Sequence, residues 1–197
     1  MFQLRTTRLL LQPHSLDNAA KLNEWFNDPH LTYFDGEEQE TFQAEPLQKT
    51  QAYLKRILQL QPDADIIHYA IHKRADERLI GYGQIARIDR YNRRCLLGIT
   101  IGEKSEWGTG YAREALSAVI EYCFAVLRLN RIGAAVYDFN HRSIRLFEGL
   151  RFCREGTLRQ NILKQGRFAD EHLYSLLRAE WEKLDSDAKG QRQERDG

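Results

Sequence analysis

Gly108 and Gly110 stand where a run of strand-forming residues gives way to a helical pattern, and this junction is the part of the chain best suited to chemistry. The run reads Gly98-Ile99-Thr100-Ile101-Gly102-Glu103-Lys104-Ser105-Glu106-Trp107-Gly108-Thr109-Gly110-Tyr111-Ala112. A strand, a tight loop and a helix start in that order make an anion site. The first amides of a helix lack intrahelical acceptors, and the helix dipole adds about half a positive charge there. Gly108 and Gly110 clear the approach for a phosphate, and the small Ala112 lets the helix start lie close to strand and ligand. Glycines before a helix also serve merely to turn a chain, so the pair alone fits a turn as well as a site. The chain lacks the Gly-Lys-Ser/Thr ending of a nucleotide P-loop at this point and the Gly-x-Gly-x-x-Gly of a dinucleotide fold, which removes both classes.

The elements around the junction follow from periodicity. Ala112, Ala115, Leu116, Val119, Ile120, Cys123 and Leu127 recur at three- and four-residue intervals and predict a helix from Tyr111 onward. Strands are predicted over Thr7 to Gln12, Ile67 to His72, Leu79 to Ile88, Cys95 to Ile101, Ile132 to Tyr137, Phe152 to Gln160 and His172 to Leu177. Ser15 can cap a helix over Asp17 to Phe26 that Asn27-Asp28-Pro29 ends, a second helix follows Pro46, and beyond the helix from Tyr111 another covers Ser143 to Leu150. The order is mixed α and β, with two helices ahead of the main sheet. The chain of 197 residues fits one domain, residues 1–185, and a charged stretch, 186–197, too poor in apolar residues to offset the entropy of ordering.

Composition excludes several function classes. A formal charge of +1 provides no field to gather nucleic acid or anionic membrane at the surface. No apolar run approaches the ~20 residues that cross a bilayer, and the first residues lack the apolar core of a signal peptide, so a cytoplasmic protein is expected. Cys95, Cys123 and Cys153 are odd in number and widely spaced, which argues against a disulfide framework and a cysteine-based zinc site; no metal is expected.

Trp107-Gly108-Thr109-Gly110-Tyr111-Ala112 resembles the Arg/Gln-x-x-Gly-x-Gly/Ala motif of the GNAT superfamily of acetyltransferases, with Trp107 where Arg or Gln is usual. Trp-Gly-x-Gly-Tyr-Ala is similar to the variant in the ribosomal-protein N-terminal acetyltransferase (RimJ/RimL-like) branch. Asn140-His141-Arg142-Ser143 resembles that branch's Asn-x-x-Ser helix start, and Phe152-Cys153-Arg154-Glu155-Gly156 its Gly-Phe-x-x-Glu-Gly, with Arg151 in place of the glycine. Thr7-Arg8-Leu9-Leu10-Leu11, Trp25-Phe26-Asn27-Asp28-Pro29 and Arg167-Phe168-Ala169-Asp170 extend the resemblance over about residues 4 to 181.

The resemblance implies a strongly twisted mixed sheet flanked by helices, whose strands Cys95–Ile101 and Ile132–Tyr137 splay apart around the pantetheine of acetyl-CoA. It implies direct attack of an amine on the thioester in a ternary complex, without an acyl-enzyme. Cofactor contacts would come from Ile99, Thr100, Ile101, Trp107, Gly108, Thr109, Gly110, Tyr111, Ala112, Asn140, Ser143 and Phe147. A backbone amide near Ile99 to Ile101 would polarise the thioester carbonyl, a contribution of ~3–4 kcal/mol where the donor is preorganised. Asn140 would bond the cofactor arm or cap the following helix, and Ser143 or a water would protonate the leaving thiolate, since Phe147 occupies the position of the tyrosine acid of other branches.

Glu103 is the first candidate for general base; the region 160 to 163, where some relatives carry a carboxylate, reads Gln-Asn-Ile-Leu, and Asp170 fits a structural role before the last strand. Trp25, Tyr33 and Phe34 would line the acceptor pocket or belong to the core. The expected acceptor is a protein or peptide N-terminal α-amine. A polyamine or aminoglycoside is the rival, with Asp35, Glu37, Glu38 and Glu40 as its acidic cluster, and a non-catalytic CoA-binding module is the rival of another class. Exposed strand edges leave room for a homodimer.

Overall fold

A computed structural model describes residues 2–34, 44–60 and 64–183. Within them, eight strands form one sheet in the order β1-β2-β3-β4-β5-β6-β8-β7. These are β1 (Leu4–Arg5), β2 (Leu9–Gln12), β3 (Ile67–Lys73), β4 (Leu79–Asp89), β5 (Arg94–Ile101), β6 (Arg131–Tyr137), β7 (Cys153–Lys164) and β8 (Arg167–Leu177). All neighbours are antiparallel except β5 and β6. The exception matters, because these parallel strands share only three paired positions: Arg94 with Arg131, Cys95 with Ile132 and Leu96 with Gly133. Past Leu96 each strand follows its antiparallel neighbour, β5 staying with β4 as far as Ile101 and β6 with β8 as far as Tyr137. The right-handed twist of a sheet carries the two halves apart where no ladder joins them, and the expected splay is present.

Helices cover both faces. The crossover helix α4 (Tyr111–Glu121) buries Ala115, Leu116, Val119 and Ile120 against Tyr69, Ile71, Ile85, Leu97, Ile132 and Val136. On the opposite face α1 (Ala19–Phe26), α2 (Pro29–Thr32) and α3 (Leu47–Leu58) enclose a smaller core of Ala19, Leu22, Trp25, Leu31 and Leu54, against which Tyr82 and Trp107 pack. α5 (His141–Gly149) follows β6 and buries Phe147 in the larger core.

Several boundaries depart from the periodicity. Asn27-Asp28-Pro29 ends α1 but also begins α2: the Asp28 carboxylate accepts the His30 N–H at 2.9 Å and Pro29 takes the first helical position. The helix predicted to Leu127 is α-helical only to Glu121, and Tyr122–Val126 form a π-helical turn that keeps the adjacent Cys123 and Phe124 both buried. The last two strands are longer than predicted. Gln165 at φ 50° and Gly166 at φ 71° make a two-residue hairpin turn with both φ positive, so β7 reaches Lys164 and β8 starts at Arg167. The expected structural role of Asp170 takes a definite form: its carboxylate accepts the N–H of Gln160, at φ 53°, in the bulge that interrupts the β7–β8 ladder. The stretch 186–197 and the acidic residues Asp35, Glu37, Glu38 and Glu40 lie outside the described residues.

Candidate functional site

The glycine loop enters α4 with both glycines left-handed, Gly108 at φ 79° and Gly110 at φ 88°, and Gly110 is the N-cap. An L-residue is strained at both positions. A Cβ on Gly108 would meet no atom within 4 Å, and one on Gly110 would meet only the Arg8 guanidinium, at 3.5 Å. The space over the loop is therefore free of protein. The first amide of α4 held within the helix is that of Glu114, which donates to the Gly110 carbonyl at 3.0 Å. The N–H groups of Tyr111, Ala112 and Arg113 precede it and have no acceptor within the helix.

Side chains from distant segments hold this loop. The Glu114 carboxylate accepts from Thr6 Oγ1 at 2.6 Å, from the Arg8 backbone N–H at 2.8 Å and from Arg8 Nε at 2.6 Å. Arg8 also donates to the Thr109 carbonyl at 3.1 Å and lies over the Tyr111 ring at 4.3 Å. The opening motif around Arg8 thus clamps the loop to the β1–β2 turn. Glu106 accepts from Lys73 at 2.8 Å and Arg78 at 3.0 Å, fixing the loop to the β3–β4 hairpin, and Thr109 Oγ1 donates to the Glu106 carbonyl at 2.7 Å. Trp107 donates its indole N–H to the Ile101 carbonyl at 2.7 Å, and the Arg142 guanidinium lies 4.2 Å from its ring centre. Its indole closes the loop back onto the end of β5, a task for which a flat, long side chain with one donor is suited.

A cavity of about 900 Å³ runs from the glycine loop into the gap between β5 and β6. Ile99, Thr100, Ile101, Trp107, Gly108, Gly110, Tyr111, Ala112, Asn140, Ser143 and Phe147 all line it; of the expected cofactor contacts, only Thr109 does not. Asn140 is the N-cap of α5, its side-chain oxygen accepting the Ser143 N–H at 3.1 Å. A second helix start therefore borders the same space as the first. Arg113, Arg142 and Arg145 also line the cavity, and none of these was singled out from the sequence. Arg113 is further held by the Gly149 carbonyl at 2.8 Å.

The other expected residues divide. Phe34 lines the cavity, whereas Tyr33 stands behind it in an aromatic group with Phe34 and Phe139, its ring centre 4.9 Å from that of Phe139. Trp25 is absent from the lining. It is 3% exposed, its ring stacks with Tyr82, and a Cβ on Gly102 would fall inside it, so its place is the core beneath the loop. Glu103 also lies outside the lining; its carboxylate is 3.2 Å from Lys21 and accepts from Ser105 at 3.3 Å. The ion pair turns it toward α1 and away from the gap. In its place the structure brings Leu31, Tyr53, His68, Tyr82, Gln84 and Glu171 to the cavity wall. They come from α2, α3, β3, β4 and β8, and the sequence offers no contiguous motif to find them by. Burial, reinforced by Arg56, holds the His68 imidazole below the usual histidine range, and burial raises the Tyr53 phenol.

Known proteins share this architecture. Residues 8–152 match the family model described as an acetyltransferase (GNAT) domain. The chain is 32% identical over 181 residues to the uncharacterized N-acetyltransferase p20 of Bacillus licheniformis, covering 92% of this chain and 99% of that protein. It is 29% identical over 132 residues to the [ribosomal protein uS5]-alanine N-acetyltransferase of Escherichia coli (strain K12), covering 66% and 68% of the two chains. The crystal structure of spermidine N-acetyltransferase from Vibrio cholerae in complex with CoA and spermine superposes with a TM-score of 0.78 at 20% identity, over 89% of this chain and 99% of that one. No helix among the described residues is long and apolar enough to cross a membrane. The matching domain, the twisted mixed sheet opened between two parallel strands and the glycine loop at its mouth agree: the chain belongs to the GNAT acetyltransferase family and is an N-acetyltransferase that uses acetyl-CoA as co-substrate.

Proposed function

We propose that this enzyme acetylates a single α-amino group at a protein or peptide N-terminus, as in the ribosomal-protein N-terminal acetyltransferase branch, and that it works in the cytoplasm. One observation carries the choice of acceptor. Among the described residues the carboxylates lining the cavity are Glu106 and Glu171, and Glu106 is already paired with Lys73 and Arg78. A single remaining carboxylate suits one ammonium group better than the several of a polyamine, whose desolvation each needs its own partner. Leu31, Phe34, Tyr53 and Tyr82 supply apolar wall for a side chain or chain end beside that amine.

In this reading the amides of Tyr111 to Arg113, together with Arg113 and Arg142, hold the diphosphate of acetyl-CoA, and the open space over Gly108 and Gly110 receives it. The fit rests on the room over the two glycines and on the donors around it. Past Leu96 no ladder joins β5 to β6, so a backbone N–H within Ile99 to Ile101 is placed to polarise a carbonyl lying in the gap, while the Ile101 carbonyl is held by Trp107. The Ser143 hydroxyl borders the same space and delivers the proton to the leaving sulfur. None of Cys95, Cys123 and Cys153 lines the cavity, which supports direct transfer between two bound substrates without an acyl-cysteine.

The rival reading, acetylation of a polyamine or aminoglycoside, draws on the structural likeness to the Vibrio cholerae spermidine enzyme and on the acidic stretch outside the described residues. Thioester turnover with peptides beginning in different residues, spermidine, spermine and aminoglycosides decides between them. Peptide-selective turnover supports the proposal, and polyamine-selective turnover overturns it. Acetyl-CoA binding without turnover on any amine would favour a non-catalytic module.

A further inference from the structure

With Glu103 turned toward Lys21, the wall of the acceptor end holds another group able to take a proton. His68 lies on β3 opposite Gln84 of β4, and Gln84 lies opposite Gly98 of β5. Directly paired residues point to the same face, so the imidazole, the Gln84 side chain and the bare position at Gly98 form one row leading to the splayed gap. The Gln84 side chain reaches over Gly98, its Cγ 3.4 Å and its Nε2 3.5 Å from where a Cβ would stand, and His68, Gln84 and Gly98 all line the cavity. From α3, the Tyr53 hydroxyl lies 3.4 Å from His68 Nδ1, and the rings meet edge-on at 6.0 Å and 86°. In the tautomer whose Nδ1–H donates to the Tyr53 hydroxyl oxygen, the neutral imidazole presents the lone pair of Nε2. The titratable and charged groups around it are Tyr53 and Arg56 of α3 and His14, which follows β2 and is itself influenced by His72; the nearby guanidinium favours the neutral ring.

We propose that His68 is the general base that takes the proton from the acceptor's ammonium group, with Tyr53 as the residue that positions its ring. The inference rests on the acetyl-transfer reading above. The ammonium gives one proton to Nε2, and the freed nitrogen lone pair forms the C–N bond at the thioester carbonyl carbon. The C–S bond then breaks with its electron pair on sulfur. The nitrogen loses its second proton, sulfur gains one through Ser143 or a water, and the imidazolium returns its proton to solvent. One proton is released per amide formed.

The test compares wild type with His68→Gln, Tyr53→Phe and Glu171→Gln in acetyl-CoA binding by calorimetry and in the pH profile of kcat/KM on an acetylated amine. His68→Gln is expected to bind acetyl-CoA within about two-fold of wild type, to lose ~100-fold in kcat and to lose the ascending acid limb that reports a free-enzyme base. Tyr53→Phe keeps the limb, displaced, with a smaller loss of kcat, and Glu171→Gln raises the acceptor KM while the limb stays. A His68→Gln enzyme with wild-type kcat and profile overturns the proposal, as does loss of the limb in Glu171→Gln alone. Failure of wild type to bind acetyl-CoA would instead sink the acetyl-transfer reading itself. Should His68→Gln not fold, an NMR titration of the wild-type imidazole decides. Protonation below about 6.5 supports the role, and a ring still charged at pH 7.5 excludes it.

Discussion

The two ends of the cavity are built on different principles. At the glycine loop main-chain amides border the cavity, set by two left-handed glycines and a helix start within a few consecutive residues, with the Arg113 and Arg142 side chains added beside them. At the acceptor end the lining groups are side chains, Phe34, Tyr53, His68, Tyr82 and Glu171, brought from five separate segments. Main-chain donors need no side-chain chemistry, only a backbone path, so a short motif encodes them. A wall of side chains from several elements exists only once the sheet and α1 to α3 have packed. One end is therefore encoded by a contiguous motif, while the other depends on the packing of five separate segments.

Substitutions that separate the ends test this contrast. The largest effect is expected from Gly102→Val, in the Trp25 core beneath the loop. Its side chain would drive into the Trp25 ring beneath the loop, and overpacking at so close a contact should cost about 3 kcal/mol or more, seen as a large fall in melting temperature and loss of both ligand affinities. Gly110→Val should act on the phosphate end alone. A β-branched residue at φ 88° disturbs the cap of α4, and calorimetry should record a loss of acetyl-CoA affinity of at least ~100-fold with the far-ultraviolet spectrum unchanged. Wild-type affinity in that variant would break the comparison.

Ser143→Ala sits between the ends. If the hydroxyl protonates the leaving sulfur, kcat should fall about 10-fold to 100-fold while acetyl-CoA affinity stays within about two-fold, and equal turnover would remove the role. The smallest effect is expected from Phe34→Ala, which trims the acceptor wall. The acceptor KM should rise up to about 10-fold with acetyl-CoA binding unaltered, and a change in acetyl-CoA affinity instead would show that the two ends are not separable.

The pattern of residues carries some of this molecule openly and hides the rest. The succession of strands β2 to β6 along the chain, the helix after Gly110 and the cap at Asn140 follow from periodicity and local chemistry, because each depends on neighbours within a few positions. Trp107 is legible as part of a motif, but its bond to the Ile101 carbonyl and its contact with Arg142 emerge only in space. Glu103 reads as a base because it stands just beyond β5. The structure turns it outward because Lys21, on α1, provides a nearer opposite charge. Trp25 reads as a pocket residue because it is aromatic, and packing against Gly102 puts it in the core. His68 is an ordinary strand histidine until β3, β4 and β5 align it with Gly98.

By itself, then, the order of residues determined the family, the mixed sheet and the left-handed glycine turn into the helix at Gly108 to Ala112, since these need only local conformation and a contiguous motif. Tertiary structure alone decided how far β5 and β6 part, which carboxylates reach the gap and which basic group stands beside it. Those properties depend on distances between segments far apart in the chain, and such distances are set by the packing of both sheet faces together.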